Sequence, residues 1–313
     1  MRKILLLAVF ISGMVTLAAE MATGRLLGNY FGTSNLIWAS IIGLILIYLT
    51  VGYFVGGKWA DRSPNFETFF SILAWGGFTT SLVPFAARPI LRIAAEAFDQ
   101  LWIGNLIGSF LVVMVLFIIP VTLLGTASPF AIRLAIKDSE HAGTVSGKIY
   151  AISTLGSFVG TFIPDLLLIP LIGTYKTFLV IGGILLLFSL IALFFVSNLR
   201  KVVTIVWMPI VVLFLWFFGA PGTDKSSEGL IFETESSYNY IQVLENKGFH
   251  LLRLNEGQGV HSIYHPEQLN YFGPWEQVLV APFFNDPFVE PEEINSMAII
   301  GLAAGTTARQ ASI

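Results

Sequence analysis

The sequence predicts a multi-pass bundle of about seven transmembrane α-helices, followed by a small β-strand subdomain and the first strand, turn and helix of an incomplete α/β fold. Of the 313 residues, 55% are hydrophobic and only 12% are charged, whereas about 25% are charged in a soluble domain. The hydrophobic residues form long blocks as far as residue 218. Later in the chain, apolar and polar residues alternate, which is the period of a half-buried strand.

The hydrophobic blocks have the length of membrane spans. The first, Ile4–Ala19, follows Arg2 and Lys3 and predicts a retained span, with a signal peptide cleaved after Ala19 as the alternative. Each later block has about 17–25 residues, which is enough to cross about 30 Å of hydrocarbon. These blocks are Leu36–Val55, Phe69–Ala87, Leu101–Leu124, Lys148–Ile172, Thr177–Ser197 and Val202–Phe218.

Basic residues set the predicted orientation, because connections on the cytoplasmic side carry more Lys and Arg. With the N-terminus inside, nine such residues lie in inner connections and five in outer ones. The inner set is Arg2, Lys3, Lys58, Arg62, Arg133, Lys137, Lys148, Arg200 and Lys201, and the outer set is Arg25, Arg88, Arg92, Lys176 and Lys225. We therefore predict a cell (inner) membrane protein with a cytoplasmic N-terminus. Seven spans would place the C-terminal part outside, and six would place it in the cytoplasm.

The C-terminal part is acidic, with 4 Lys+Arg against 12 Asp+Glu in residues 224–313. Such a segment without a basic cluster argues against nucleic acid as a partner. The chain has no cysteine, which excludes disulfides, thiolate metal sites and cysteine nucleophiles.

Small residues recur at four-residue spacing within the spans. Such a spacing lets helix backbones approach closely in lipid, and it predicts helix contacts at Gly24/Gly28/Gly32, Gly52/Gly56, Gly104/Gly108 and Gly156/Gly160.

In residues 89–100, apolar residues recur at helical spacing and charged residues lie between them. They predict a separate interfacial helix.

The sequence divides into a transmembrane domain at 1–219, a linker at 220–229, a β-strand subdomain at 230–295 and the start of a truncated α/β domain at 296–313. Residues 238–245 and 249–254 alternate on either side of a turn, which predicts a β-hairpin. From Met297 onward, the pattern predicts a short buried strand, a glycine turn at Gly301 and Gly305, and a helix.

Motifs in two regions resemble one family. The first region comprises residues 10–20 (FISGMVTLAAE), 25–27 (RLL) and 52–62 (GYFVGGKWADR); the last run is also similar to the Gly-x-x-x-Asp-Arg loop of major-facilitator transporters, at Gly57, Asp61 and Arg62. The second comprises residues 235–243 (ESSYNYIQV), 254–262 (LNEGQGVHS) and 299–305 (IIGLAAG). In this order, they resemble the membrane-fused spermidine synthase-like proteins, which are polyamine aminopropyltransferase-like, and they cover nearly the whole chain.

The resemblance implies a Rossmann-like methyltransferase fold that binds decarboxylated S-adenosylmethionine, or a related adenosyl compound, as a co-substrate. The aminopropyl group of this compound is transferred to a diamine. The implied co-substrate-binding residues are Gln258, Gly301, Ala304 and Gly305. The implied substrate-binding residues are Tyr238, Asn239 and Glu276.

The sequence departs from the family pattern where the substrate amines bind. Asn239 stands where the family has Gln, and Pro274 and Trp275 precede Glu276 where the family has Tyr and His. Ala304 replaces an acidic residue. An ammonium group removed from water needs a carboxylate partner, so these changes put polyamine synthesis in doubt.

The chain ends at Ile313, before the positions of the family's ribose-binding acid and catalytic Asp. We therefore expect a fragment of a longer protein, with no catalytic residue of its own, and an inactive one. A naturally short form is the alternative.

Glu20, Arg25 and Asp165 lie in or near the spans. Charges there are costly unless they are paired, and they often mark a ligand or ion site. A structural charge pair is the alternative for Glu20 and Arg25. His261 and His265 are four residues apart but are expected on a strand and a turn, so we predict no metal site.

Three functions stay open at this stage: a membrane-anchored aminopropyltransferase-like enzyme, a transporter or channel-like protein with an accessory domain, and a non-catalytic scaffold. The expected partners are the lipid bilayer and a polyamine or another small molecule, with self-association into a homo-oligomer as a further expectation. No tightly bound cofactor is expected.

Overall fold

The chain forms one unit of long helices and one unit built on a small sheet. The computed structural model describes residues 1–98, 104–136, 141–219, 225, 227–257, 259–287 and 289–313. Contacts divide the chain into a helical unit, Met1–Asp224, and a sheet unit, Lys225–Ile313. Each unit is described by itself.

The helical unit contains long apolar helices joined by short connections. Their bounds are α1 (Arg2–Phe31), α2 (Asn35–Arg62), α3 (Phe66–Phe98), α4 (Gly104–Gly125), α5 (Ala127–Ala135), α6 (Ala142–Ile163), a π-helical segment (Pro164–Leu168), α7 (Ile169–Val196), α8 (Leu199–Val203) and α9 (Trp207–Phe218). Within the described residues, six continuous helical stretches are long and apolar enough to cross a membrane. The predicted set of long apolar helices is thus confirmed, and it is compatible with a multi-pass membrane protein.

The fifth of these stretches, Ala142–Val196, has 55 residues. At 1.5 Å per residue a straight helix of this length would measure about 80 Å, far more than the membrane core. Gly173 interrupts it with φ 78° and ψ 165°, a conformation that favours glycine. The stretch therefore consists of two helical arms, one on each side of Gly173.

Glycines bring pairs of helices into backbone contact. A Cβ on Gly156 of α6 would overlap the carbonyl oxygen of Phe10 on α1, and a Cβ on Gly160 would overlap that of Met14. On α2, a Cβ on Gly56 would lie 2.6 Å from the Cα of Thr126. The predicted contacts of the Gly52/Gly56 and Gly156/Gly160 pairs are thus confirmed. Gly32 instead ends α1, with φ 83°.

The prediction of a separate interfacial helix over residues 89–100 is wrong for the residues that the structure describes. Helix α3 continues through Pro84 and Pro89 to Phe98, and residues 99–100 lie outside the described part. The physical reason is burial: Ala87 and Leu91 are fully buried and Ala94 nearly so. The apolar face therefore stays packed in the bundle instead of leaving it for the interface.

The last helix, α9, runs along α3 and α7. The Trp207 ring packs against those of Trp75 and Phe78 on α3. At the other end, the Lys176 ammonium lies 5.4 Å from the centroid of the Trp216 ring, and a Cβ on Gly219 would overlap the Phe85 ring. Helix α9 therefore lies alongside the part of α3 between Trp75 and Phe85.

The sheet unit is built on four antiparallel strands in the order β1-β2-β3-β4. They are β1 (Leu230–Glu235), β2 (Tyr240–Asn246), β3 (Phe249–Leu254) and β4 (Val260–Tyr264), followed by α10 (Pro274–Gln277), two 3₁₀ segments (Val278–Phe284 and Pro291–Glu293) and α11 (Thr306–Ala311). The predicted hairpin is confirmed as β2 and β3, with positive φ at Lys247 and Gly248. Two such residues form the turn that suits the twist of a hairpin.

The short strand predicted from Met297 to Ile300 does not form. This segment has no regular structure, Met297 is 50% exposed and Ile300 is fully exposed. A strand needs a neighbouring strand to satisfy its backbone groups, and no described strand pairs with this segment. The glycine turn and the helix that were predicted after it do form.

The glycine contact between α1 and α6 leads to a test with an internal control. Gly156→Ala should lower the free energy of unfolding by about 1–3 kcal/mol, because the new methyl group forces the backbones apart. Gly147→Ala on the same helix meets no atom within 4 Å and should raise it by about 0.5–1 kcal/mol through helix propensity. Denaturation of the purified protein in detergent measures both. Equal effects of the two substitutions would contradict the close contact.

Candidate functional site

The glycine turn of residues 301–305 is attached to the end of strand β4. Gly301, Ala303 and Gly305 all have positive φ, at 86°, 48° and 83°. The Ala304 N–H donates to the Ser262 hydroxyl at 2.9 Å. The Thr306 hydroxyl accepts from the Ile263 N–H at 2.9 Å and donates to the Ile263 carbonyl at 2.8 Å. These bonds bring three of the predicted co-substrate-binding residues, Gly301, Ala304 and Gly305, into one ordered turn.

The outer side of this turn is open. A Cβ on Gly301 or on Gly305 would meet no heavy atom within 4 Å, and Leu302 is 56% exposed. A ligand can therefore approach the backbone at these positions. Gln258, the fourth predicted co-substrate-binding residue, lies outside the described residues.

Helix α11 is held in place by Arg309. The guanidinium donates to the carbonyl of His265 at 2.6 Å and to the hydroxyl of Tyr271 at 3.0 Å, and it lies 4.6 Å from the centroid of the Tyr264 ring. The His265 ring accepts hydrogen bonds from the backbone N–H groups of Glu267 and Gln268. His265 thus has a structural role in a turn.

Glu276, a predicted substrate-binding residue, acts as a cap. Its carboxylate accepts from the backbone N–H groups of Tyr271 and Gly273 and from the Gln310 amide. Desolvation acts to raise the pKa of Glu276, but these hydrogen bonds outweigh it and hold the pKa below its ordinary value. The carboxylate therefore ties the segment before α10 to α11.

The other two predicted substrate-binding residues lie elsewhere in the sheet unit. Tyr238 is 84% exposed, and the Asn239 side-chain oxygen accepts from the Asn255 amide at 3.0 Å. Among the described residues, no hydrogen bond joins Tyr238 or Asn239 to Glu276. The structure does not bring these three residues together.

A buried polar row across the sheet was missed from the sequence. Glu233 of β1 pairs with Gln242 of β2, which pairs with Arg253 of β3. Gln242 is only 2% exposed, and its side-chain oxygen accepts from the Ser227 hydroxyl at 3.2 Å. Next to it, the Lys225 ammonium lies 5.3 Å from the centroid of the Tyr240 ring. The row could have been predicted from the polar residues that recur on one face of successive strands.

In the helical unit, the structure brings two of the three predicted polar residues together. The guanidinium of Arg25 on α1 interacts electrostatically with the carboxylate of Asp165, which lies in the π-helical segment. Such segments often occur at functional sites. Glu20 is half-buried, and within the described part of the chain it forms no hydrogen bond or ion pair.

Arg88 was predicted to lie in an outer connection between two spans, with no role in a site. The Arg88 guanidinium of α3 lies 4.2 Å from the centroid of the buried Tyr175 ring on α7. A cation–aromatic contact of this kind stabilises a charge away from water. Arg88 lies inside α3, because this helix continues beyond the predicted end of the span at Ala87.

The transporter-like run at residues 52–62 ends in an ion pair. The Asp61 carboxylate of α2 lies 3.1 Å from the Arg133 Nε of α5, with both side chains largely exposed. An exposed pair of this kind contributes little stability, and it joins the ends of α2 and α5. A Cβ on Gly57 would meet no atom within 4 Å.

Two further findings bear on the choice of function. Among the described residues, no group of three or more His, Asp or Glu side chains is arranged to hold a metal ion. No family model, no curated protein and no solved structure matches the chain.

The cap formed by Glu276 predicts a pH dependence. Since the pKa of Glu276 is lowered on folding, its contribution to stability is present above the ordinary pKa and is lost as the pH falls through the folded value. We expect hydrogen exchange, corrected for intrinsic rates, to show protection of α11 at pH 7 that declines below about pH 4.5. Glu276→Gln should weaken this protection at pH 7, and Glu267→Gln, an exposed neighbour, should not. Identical protection in the two variants would refute the role of the cap.

Proposed function

We propose that this chain is a membrane-anchored, aminopropyltransferase-like protein, and that its sheet unit binds an adenosyl compound such as decarboxylated S-adenosylmethionine at the glycine turn. One observation carries the proposal. The turn of residues 301–305 is hydrogen-bonded to the last strand of an antiparallel sheet through Ser262 and Thr306, and its outer side is open. The sheet, the turn and α11 follow one another as the resemblance implies, although the strand that it places directly before the turn does not form.

The proposal concerns ligand binding and assigns no catalytic residue. Ala304 supplies no carboxylate, and that of Glu276 is engaged by three donors. An amine removed from water needs a free carboxylate, so these two positions do not favour a diamine. Transfer of the aminopropyl group to a diamine is the reaction of the family.

A second candidate function is the binding or transport of a small molecule by the helical unit. Two observations favour it: the interaction of Arg25 with Asp165 in a π-helical segment, and the contact of Arg88 with the buried Tyr175. Charged side chains at such depths often mark a ligand or ion pathway. A polyamine, being cationic, suits Asp165 and would have to compete with Arg25.

The number of crossings distinguishes the two functions. We propose seven, because Gly173 divides one long stretch into two arms and α9 extends along the length of α3. Seven crossings place the sheet unit on the side opposite to the N-terminus. An adenosyl co-substrate is made in the cytoplasm, so the transferase proposal requires the N-terminus outside. The distribution of Lys and Arg favours a cytoplasmic N-terminus instead. The sheet unit would then lie outside, which agrees with the second candidate.

Calorimetry tests the adenosyl site. Titration of the full-length protein with decarboxylated S-adenosylmethionine and with S-adenosylmethionine should show binding of at least one. Gly305→Val should weaken it at least tenfold, because a β-branched residue strains a backbone with φ 83° by about 1–2 kcal/mol and covers the open side of the turn. Leu302→Val, in the same turn but without positive φ, should bind normally. Binding of neither compound would end the transferase proposal.

A reporter fused after Gly229 tests on which side the sheet unit lies. The transferase proposal expects a fluorescent protein to be active at this position and alkaline phosphatase to be inactive, because the co-substrate is cytoplasmic. An active phosphatase would exclude the standard reaction and favour the second candidate. Fusions after Ser63, at the end of α2, serve as the control, since two crossings return that position to the side of the N-terminus.

A further inference from the structure

A cavity of about 530 Å³ lies at the end of the helical unit where α1, α3 and α6 begin. Neither Arg25 nor Asp165 is among the residues that line it. Arg2 of α1, Phe66 of α3 and Lys148 of α6 all line it. None of the functions considered above uses this cavity.

The polar side of the cavity is positively charged. Its charged or ionisable lining side chains, within the described residues, are Arg2, His141 and Lys148, with no Asp or Glu. Helices α1 and α6 both begin here, and neither has an acidic residue in its first turn or a side chain that caps its first N–H groups. Unsatisfied N–H groups and the helix dipole attract anions at such ends.

The other side of the cavity is apolar. Leu5 of α1 and Ile149 of α6 are buried at its base, with Leu134 of α5 partly buried beside them. These side chains belong to helices long and apolar enough to cross a membrane, and the cavity lies at their ends. The ends of membrane-spanning helices lie where the headgroups of a bilayer meet the hydrocarbon. A ligand that fits both sides therefore has an anionic group joined to a hydrocarbon chain.

We propose that this cavity binds an anionic phospholipid, with the headgroup phosphate between Arg2 and Lys148 and the beginning of an acyl chain against Leu5 and Ile149. Charge complementarity and the junction of a basic side with an apolar side identify the occupant. A free phosphate ion would use only the basic side. The inference is independent of the adenosyl site, because it concerns the helical unit alone.

The test compares three ligands on the full-length protein in neutral detergent. Short-chain phosphatidylglycerol should bind and raise the melting temperature, and short-chain phosphatidylcholine and inorganic phosphate should do so far more weakly. The double variant Arg2→Gln/Lys148→Gln should bind phosphatidylglycerol about 25-fold more weakly, because each cation contributes about fivefold. The matched control Arg200→Gln/Lys201→Gln removes two exposed cations of α8 that do not line the cavity, and it should bind normally.

A third variant separates binding from folding. Thr144→Glu places an acid in the first turn of α6, where it favours the helix, but it adds a negative charge to the cavity lining. We expect an unchanged or higher melting temperature without lipid, together with at least a tenfold loss of phosphatidylglycerol binding. The proposal is overturned by equal binding of the two lipids, by equal stabilisation with inorganic phosphate, or by normal lipid binding in the double variant.

Discussion

The close approach of helix backbones at glycines is the constraint on which the helical unit depends. In hydrocarbon, burial of apolar surface does not drive helices together, and short-range packing replaces it. At Gly156 and Gly160 the carbonyls of α1 occupy the space that a side chain of α6 would need. Similar contacts join α3 to α7 through Gly77 and Gly182. Because α1 and α6 run in the same direction, this packing places both of their N-termini at one end and carries Asp165 towards Arg25.

The two groups of charges in the helical unit follow from that arrangement. The beginnings of α1 and α6 contribute Arg2 and Lys148 to the cavity, and no Asp or Glu is among its described lining residues. In the other group, Arg25 interacts electrostatically with Asp165, and the Arg88 guanidinium lies over the Tyr175 ring. An opposite charge nearby lowers the cost of a charge in the low dielectric of the bundle, whereas the proposed lipid would bring an anionic headgroup to the basic side of the cavity.

The sheet unit depends on hydrogen bonds more than on apolar burial. Among its described apolar residues, only Tyr240 and Leu244 are fully buried. Ser262, Thr306, Arg309 and Glu276 instead join the strands, the glycine turn and the short helices through side-chain hydrogen bonds. A residue engaged in this way is not free for a ligand. This is why Glu276 and His265 have structural roles, whereas the backbone at Gly301 and Gly305 is open on its outer side.

The sequence by itself determined the long apolar helices, the change to alternating strands and the β2–β3 hairpin, because length, hydrophobicity and turn residues act locally. It also identified Gly52, Gly56, Gly156 and Gly160 as contact positions, since their spacing is a local property. Only the tertiary structure decided that α3 continues past Pro89, that residues 297–300 form no strand, and that Glu276 is a cap. Each of these depends on a partner distant in the chain: the buried surface facing α3, the absent neighbour strand, and Gln310. A pattern within one segment cannot specify such partners.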